Sequence, residues 1–355
     1  MRGIVIALLA YGVVMGAVMG DDIVVEKVFG KELPGQYKHP AAITELASGD
    51  LYLAYYGGSG EYHPDTAVYG ARLKKGSTEW DTPVPIADTP FHSDGNPVVW
   101  QAPDGVVWLF HVVRYGDTWS DSRIHAKISR DEGTSWSDSF VLADERGMMV
   151  RSQPLLLDNG DYLLPIYHET GHDREEVGAD TTGLFLRCDP KIMRWTETNR
   201  ITARNGCLQP SVVQISPDYL IAYLRRGGGY GPCTDGYIVR AESHDGGHTW
   251  SAGTDSQFAN PNAAIDFIKL RNGHLLLVYN DNMEDRTPLT VAISTDNDKT
   301  YPYKKNIQEG AGPFAYPYAI QTRDDKIHII FTTDNRTQIM RAVFEERAIT
   351  GTDAP

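Results

Sequence analysis

The sequence is poor in cysteine and has no cluster of positive charge. Three cysteines among 355 residues are too few for a disulfide-stabilised scaffold, and their spacing leaves open whether Cys207 pairs with Cys233. The formal net charge is -14, and no stretch of lysine and arginine offers the positive face that nucleic acids and anionic membranes require. We therefore expect neither class of partner.

Metal-binding signatures and long apolar runs are scarce as well. The sequence lacks H-E-x-x-H, paired Cys-x-x-Cys and calcium-loop patterns, so we expect no metal or other cofactor. Its one long apolar run covers residues 3–18, which is typical of a signal peptide and short for a membrane span. We expect a signal peptide over residues 1–20. Residues 21–355 are expected to form one secreted or periplasmic, monomeric domain that is not inserted in a membrane.

The sequence does contain a repeat of about 55 residues. Each copy has an apolar strand, a tight turn with Gly or Asp, and a second apolar strand. The copies are spaced 53 to 57 residues apart and begin at Pro40, Pro97, Pro154, Pro210, Ala263 and Pro317. We predict an all-β fold, a six-bladed β-propeller. A strand at residues 23–28 is expected to complete the last blade beside residues 339–344, which removes exposed sheet edges.

A second repeated motif lies downstream of these hairpins. Residues 129–136 and 243–250 fit S-x-D-x-G-x-[TS]-W, and residues 294–301 are a degenerate copy. Trp80 and Trp195 occupy the place of the final aromatic residue in two further blades. We expect the aspartate to accept backbone N–H bonds in the turn and the aromatic ring to pack between blades. The motif resembles the Asp box of the sialidase superfamily (BNR repeats), and the resemblance covers essentially the whole mature chain and implies a sialidase-like propeller.

Candidate site residues follow from the geometry of a propeller, because the starts of its innermost strands converge on one axis. Cations, amides and a tyrosine occupy these positions here. Since arginine binds carboxylates through two parallel hydrogen bonds, the site suits an acidic sugar. The candidate residues are Lys38, His39, Asn96, Arg151, Gln209, Asn260, Asn262, Asp266 and Tyr316.

The resemblance to sialidases implies roles for four residues. That family binds the substrate carboxylate with three arginines and uses a tyrosine nucleophile, activated by a glutamate, with an aspartate as acid and base. By position, Arg225 and Arg286 resemble the second and third arginines. Tyr316 resembles the nucleophile, and Asp65 resembles the acid and base.

Two positions depart from the family pattern. The family's Arg-Ile-Pro is Lys38-His39-Pro40 here, which keeps a cation without the two-pronged geometry of arginine. Gln209 stands where the glutamate is expected, and an amide can orient a hydroxyl but cannot take its proton. This leaves open another acidic sugar, such as a uronate, with His39, His63 or His168 supplying the base.

Three functions are compatible with these residues. The first is an exported, exo-alpha-sialidase-like glycoside hydrolase in which Arg225, Arg286 and Lys38 hold the carboxylate of a terminal acidic sugar. In that hydrolase Tyr316 attacks the sugar and Asp65 protonates the leaving oxygen. The second is a polysaccharide lyase acting on uronate-containing glycans, and the third is a noncatalytic glycan-binding propeller. In each, the partner is a glycan or polysaccharide with an acidic sugar.

Overall fold

Six antiparallel sheets make up almost all of the described chain, in a computed structural model that describes residues 23–32, 34–172, 174 and 176–351. Neighbouring sheets contact each other through their innermost strands, so the six sheets surround one axis. The predicted all-β, six-bladed β-propeller is confirmed. The predicted signal peptide lies outside the described residues. Within them, no helix has the length and apolar character needed to cross a membrane.

The first three blades follow one another along the chain. Blade 1 contains β2–β5, which are Tyr37–Glu45, Leu51–Gly58, Ala67–Leu73 and Val84–Ala87. Blade 2 contains β6–β9, which are Ser93–Gln101, Val107–Arg114, Ser122–Ser129 and Phe140–Ala143. Blade 3 contains β10–β14, which are Met148–Val150, Leu155–Leu156, Tyr162–His168, Thr182–Asp189 and Arg194–Glu197. In blade 3, β10 and β11 both pair with β12 and together replace a single first strand.

The last three blades repeat this order, and helices are short. Blade 4 contains β15–β18, which are Cys207–Gln214, Leu220–Arg226, Tyr237–Ser243 and Thr254–Ala259. Blade 5 contains β19–β22, which are Asp266–Lys269, Leu275–Asn280, Leu289–Ser294 and Tyr303–Gln308. Blade 6 contains β23–β25 and β1, which are Ala315–Gln321, Ile327–Thr333, Gln338–Phe344 and Val24–Phe29. A 3-10 turn covers Trp119–Asp121, and α1 covers Arg347–Thr350.

Blade 6 closes the ring by joining the two ends of the described chain. β1 pairs antiparallel with β25, with Val24 opposite Val343 and Lys27 opposite Met340. The pairing satisfies backbone groups that an open sheet edge would expose. The predicted closure by the N-terminal strand is therefore confirmed.

The Asp boxes form the expected hydrogen-bonded clamps in the turns between third and fourth strands. Asp131 Oδ1 accepts from the Ser129 hydroxyl at 2.7 Å and from the Ser135 backbone N–H at 2.8 Å. Hydrogen bonds, chiefly from Ser135, lower the pKa of Asp131 to about 2. Asp245 and Asp296 accept the corresponding two bonds in blades 4 and 5. The clamp thus survives in the degenerate copy as well.

The aromatic residue that ends each motif packs against the preceding blade. The ring centroids lie 4.3 to 6.1 Å apart in the five pairs, which are Trp80–Phe29, Trp136–Tyr52, Trp195–Trp108, Trp250–Phe185 and Tyr301–Phe258. Aromatic pairs at such distances contribute about 0.5–1.5 kcal/mol beyond the area they bury. The repeat therefore stabilises five of the six interfaces between blades, as expected.

All three cysteines are free thiols. The Cys207 thiol contacts the Ile201 carbonyl at 3.2 Å, whereas Cys233 Sγ accepts a hydrogen bond from Arg226 Nη2 at 3.1 Å. The structure therefore contains no Cys207–Cys233 disulfide.

Candidate active site

The floor of the candidate site forms where the first strands begin. In blades 1, 2, 4 and 6 the pairing of the first strand shifts register at this point, which is a β-bulge. Four non-glycine residues next to the axis adopt φ values between 42° and 58°, and they are Asn96, Gln209, Asn262 and Tyr316. This left-handed conformation costs about 1–3 kcal/mol per residue. Bulges redirect side chains, and here they turn three of these four side chains into one cavity.

The walls of the cavity are the loops that join second and third strands. The cavity has a volume of about 300 Å³. Five of the predicted site residues line it, namely Asn96, Gln209, Arg225, Arg286 and Tyr316. Ten polar or charged residues that were not predicted also line it, namely Glu61, Tyr62, Trp119, Tyr167, Glu169, Arg174, Tyr230, Glu284, Asp285 and Arg336. Residues from all six blades therefore meet at one site.

Tyr316 lies among guanidinium groups. Its hydroxyl accepts a hydrogen bond from Arg225 Nη1 at 3.1 Å, and the guanidinium carbon of Arg286 lies 5.8 Å from its ring centroid. Burial alone would raise the pKa of the Tyr316 phenol. The positive charges of Arg225, Arg286 and Arg336 outweigh burial and lower this pKa below its ordinary value. The phenolate form of Tyr316 is thus favoured relative to that of an isolated tyrosine.

Arg225 connects several groups of the site. It is 1% exposed, and its Nε donates to Asn262 Oδ1 at 2.7 Å. Its Nη1 donates to Gln209 Oε1 at 3.3 Å as well as to Tyr316. Its Nη2 is buried without a hydrogen-bond partner among the residues that the structure describes. Arg225 therefore orients Asn262, Gln209 and Tyr316 and keeps one donor that none of the described residues uses.

Arg286 and Arg336 act on Tyr316 together with Arg225, and a fourth arginine, Arg174, also lines the cavity. Burial and the charge of Arg225 lower the pKa of Arg286 to about 10, and its Nη2 donates to the Asn262 carbonyl at 3.2 Å. Burial also disfavours the charged form of Arg336. The neighbouring Glu61 carboxylate more than offsets this effect of burial and raises the pKa of Arg336. Arg336 lies in the turn between β24 and β25. The sequence did not predict Arg336 as a site residue, because along the chain this turn is separate from the first-strand starts that converge on the axis.

Four carboxyl groups line the same cavity, those of Glu61, Glu169, Glu284 and Asp285, and the sequence assigned none of them to the site. The Glu61 carboxylate accepts from the Tyr37 hydroxyl at 2.6 Å, from Trp119 Nε1 at 3.1 Å and from Arg336. Burial, reinforced by Glu61 and opposed by Arg225, raises the pKa of Glu169 to about 7. All four lie on loops between second and third strands, and that shared position is the one signal that the sequence offers for them.

Asp65 lies outside the cavity, although it shares a loop with Glu61. Its exposed carboxylate accepts from the Ser59 hydroxyl at 2.5 Å and from the Ser59 backbone N–H at 3.1 Å. It lines a separate, shallow depression with Gly58 and Tyr69. The loop turns back on itself between Ser59 and Asp65, so the structure places this carboxylate outside the cavity that contains Tyr316, and a role for Asp65 as acid and base stays a prediction.

Several other predicted residues support the cavity without lining it. Arg151 Nη2 donates to the Tyr316 carbonyl at 2.9 Å, and the His39 ring lies edge-on to the Tyr316 ring with centroids 4.2 Å apart. Burial lowers the pKa of His39, and the surrounding arginines lower it further. These two side chains hold Tyr316 in position. Burial and the nearby cations thus keep His39 uncharged.

The remaining predicted residues take part in local structure. Lys38 is buried and its Nζ donates to the Gly35 carbonyl, so Lys38 does not line the cavity. Asp266 accepts from Ser211 and from the backbone of Ala319, and Asn260 bonds with the backbone of Ala263. The proposed alternative bases His63 and His168 do not line the cavity either. His168 Nε2 instead bonds with the Arg146 carbonyl at 3.0 Å.

Comparison with known proteins identifies the fold. The BNR repeat-like domain family matches residues 49–329. Among solved structures, a Hadza microbial sialidase has a TM-score of 0.74 at 16% identity, covering 89% of this chain and 67% of its own. The intramolecular trans-sialidase from Ruminococcus gnavus, in complex with oseltamivir carboxylate, has a TM-score of 0.71 at 13% identity, covering 94% and 99%. An α-L-arabinofuranosidase from Fusarium graminearum has a TM-score of 0.65 at 13% identity, covering 91% and 98%. No curated protein matches at the level of sequence.

Proposed function

Because the chain belongs to the BNR repeat-like domain family, we propose that it is a sialidase-like glycoside hydrolase that removes a terminal acidic sugar from a glycan. The observation that carries this proposal is the position of the Tyr316 hydroxyl. It accepts a hydrogen bond from Arg225 inside a cavity that Arg286 and Arg336 also line. A tyrosine whose pKa is lowered by three neighbouring arginines suits an anionic sugar.

The arginines explain the choice of an anionic substrate. Four guanidinium groups line a cavity of about 300 Å³ together with four carboxyl groups, and one of the arginines, Arg225, keeps a buried donor without a partner among the described residues. A carboxylate accepts two parallel hydrogen bonds from such groups. Ligand sites usually measure about 300–1,000 Å³, so this cavity is at the small end and suits one terminal sugar rather than a long chain.

Tyr316 is the proposed nucleophile. Its oxygen attacks the anomeric carbon, the glycosidic bond breaks, and a glycosyl-tyrosine forms. Gln209 cannot take the phenol proton, so stabilisation of the phenolate by Arg225 and Arg286 replaces a glutamate base. Water then cleaves the glycosyl-tyrosine and restores the phenolate.

Glu169 is the proposed acid and base, in place of Asp65. A carboxyl group with a pKa of about 7 is half protonated at neutral pH, which suits proton transfer in both directions. Glu169 donates its proton to the leaving oxygen in the first step. It then takes a proton from the attacking water in the second step.

A panel of fluorogenic sialosides and uronides tests this proposal. We expect Tyr316→Phe to lower kcat by more than about 100-fold on the substrate that is turned over. Tyr318→Phe is the matched control, because the Tyr318 hydroxyl is buried without a hydrogen-bond partner among the described residues and Tyr318 does not line the cavity. Equal activity of both variants would contradict the proposal. Glycan binding without turnover by the unmodified protein would instead favour a noncatalytic propeller.

A second candidate, a uronate-specific lyase, is favoured by two observations. The Tyr316 hydroxyl contacts a cation, and Gln209 stands where a hydrolase of this type has glutamate. In a lyase the Tyr316 phenolate takes the C5 proton, the bond from C4 to the glycosidic oxygen breaks, and Glu169 protonates that oxygen. An unsaturated product that absorbs in the near ultraviolet, without release of a fluorogenic aglycone from sialosides, distinguishes this reaction from hydrolysis.

Export directed by a signal peptide at residues 1–20 suits either reaction, because such glycans are reached outside the cytoplasm. Sequencing the N-terminus of the protein recovered from medium or periplasm checks for cleavage before Asp21. Size-exclusion chromatography with light scattering checks the proposed monomer.

A further inference from the structure

A second cavity, of about 530 Å³, lies between blades 1 and 6. It is lined by the β2–β3 and β23–β24 turns, which join first strands to second strands, and by the β4–β5 turn. The candidate active site uses the opposite ends of these strands. The cavity is therefore a separate site on the other face of the disc. We call it the basic groove, defined by Lys74, Lys75, Arg323, Lys326, His328 and Arg341.

The basic groove is positively charged in a protein that is strongly acidic. Five lysine or arginine side chains line it against two carboxylates, those of Glu45 and Asp324, which leaves a formal charge of +3. The whole sequence has a formal charge of -14. A local reversal of sign within an acidic surface concentrates anions there.

Three of these cations are held in ion pairs and two are not, although the charge of Lys74 contributes to lowering the pKa of Asp50. Arg323 Nε lies 3.1 Å from Glu45, Lys326 Nζ lies 3.2 Å from Asp324, and Arg341 pairs with Glu26. In contrast, no ion pair within the described ranges involves Lys74 or Lys75. These two lysines therefore supply the charge that a ligand can use.

The position of Lys75 shows how the groove arises from the repeat. Residues 73–80 have the spacing of the Asp box at residues 129–136, and Lys75 stands where that box has Asp131. The turn is closed differently here, because Asp50 Oδ1 accepts the Lys75 backbone N–H at 2.8 Å. Blade 1 thus replaces a clamping carboxylate by an ammonium group that takes no part in the clamp.

The rest of the lining is mixed in polarity. Val343 and the largely buried Leu51 and Leu73 line it beside Ser77 and Thr322, whose hydroxyls donate to Glu79 and Asp324 and can still accept a hydrogen bond. His328 is 7% exposed, and its Nδ1 has no hydrogen-bond partner among the residues described. Apolar surface, hydroxyl groups and positive charge match a sugar ring with an anionic substituent. The overall negative charge disfavours longer polyanions such as nucleic acids.

We propose that the basic groove binds an anionic oligosaccharide, through its carboxylate or sulfate groups, as a second glycan site remote from Tyr316. The positive charge of the groove is independent of the enzyme proposal. The choice of a saccharide over another anion rests on the proposed function. Such a site holds a polymeric substrate while its terminal sugar is removed elsewhere on the protein or on a neighbouring copy.

Calorimetry with a hexameric oligogalacturonate and a chondroitin sulfate hexasaccharide tests the groove. We expect the double variant Lys74→Gln, Lys75→Gln to weaken binding of at least one by about tenfold or more. The control is Lys191→Gln, Lys299→Gln, which changes the same charge on exposed lysines in turns between third and fourth strands of two other blades. We expect the control to change affinity by less than about twofold. Melting temperatures of both double variants check that they fold.

Other outcomes overturn the inference in distinct ways. Equal weakening by both double variants means nonspecific charge attraction, and no binding of either hexasaccharide means no glycan site. If poly-glutamate binds as tightly as the hexasaccharides, and this binding also depends on Lys74 and Lys75, the ligand of the groove is an acidic peptide instead. Loss of binding in Arg225→Met alone assigns all binding to the candidate active site. Because the lysine variants leave Tyr316 untouched, their turnover reports on the proposed enzyme separately.

Discussion

The raised pKa of Glu169 makes a quantitative prediction about stability. An unfolded chain loses this proton near pH 4.5, whereas the folded protein keeps it to about pH 7, a difference of 2.5 pH units. At 1.36 kcal/mol per unit, this corresponds to about 3 kcal/mol, which is an upper bound because the carboxyl group faces the cavity. The proton stabilises the folded state fully below pH 4.5. This stabilisation is lost as the pH rises to about 7.

Urea denaturation at pH 4, 5, 6, 7 and 8 measures this loss. We expect the unmodified protein to lose up to about 3 kcal/mol relative to Glu169→Gln between pH 4 and 8, because the amide does not titrate. Glu197→Gln, an exposed substitution in the same blade, is the control and should follow the unmodified protein. Parallel curves for the unmodified protein and Glu169→Gln would refute the burial argument for this carboxyl group.

The same residue links stability to activity. If Glu169 donates a proton to the leaving oxygen, kcat/KM of the unmodified enzyme falls about tenfold per pH unit above pH 7. Glu169→Gln should lose most activity and the pH dependence together. If stability depends on pH as expected but kcat/KM does not fall above pH 7, the raised pKa of Glu169 is supported and its role as the catalytic acid is contradicted. Asp65→Asn distinguishes the competing assignment, because only a catalytic Asp65 predicts a comparable loss.

Three further predictions concern the site and the repeat. Gln209→Glu places a carboxylate beside Arg225. We expect the rate of sialoside hydrolysis to rise by about tenfold or more, because the variant adds a proton acceptor. An unchanged rate in the fluorogenic assay would contradict this. Ultraviolet difference titration of the unmodified protein against Tyr316→Phe should show a phenolate that forms below pH 10. Arg225→Met should raise the pH at which this phenolate forms. Identical titrations of the unmodified protein and Arg225→Met would contradict the proposed activation of Tyr316. Trp250→Ala removes the ring stacked on Phe185 and should lower the free energy of unfolding by about 3–5 kcal/mol in urea, a loss below 1 kcal/mol being inconsistent with that packing.

The sequence alone determined the architecture of this protein. The hairpin period, the turn residues and the motif ending in Trp136 and Trp250 are local patterns, and each one specifies a strand, a turn or an interface within one repeat. Counting them was enough to predict six blades and the closure by the N-terminal strand. The positions of Tyr316, Gln209 and Arg225 at the axis follow from the same period.

Only the tertiary structure decided which charges surround Tyr316. Arg336, Glu61 and Glu169 lie on loops between second and third strands, and the paths of such loops are not set by the repeat. Asp65 and Glu61 are four residues apart in one loop, yet only Glu61 reaches the cavity. The pKa values of Glu169 and Tyr316 depend on burial and on distances between groups from different blades. No local pattern encodes those distances, so the chemistry of the site emerges only when the ring closes.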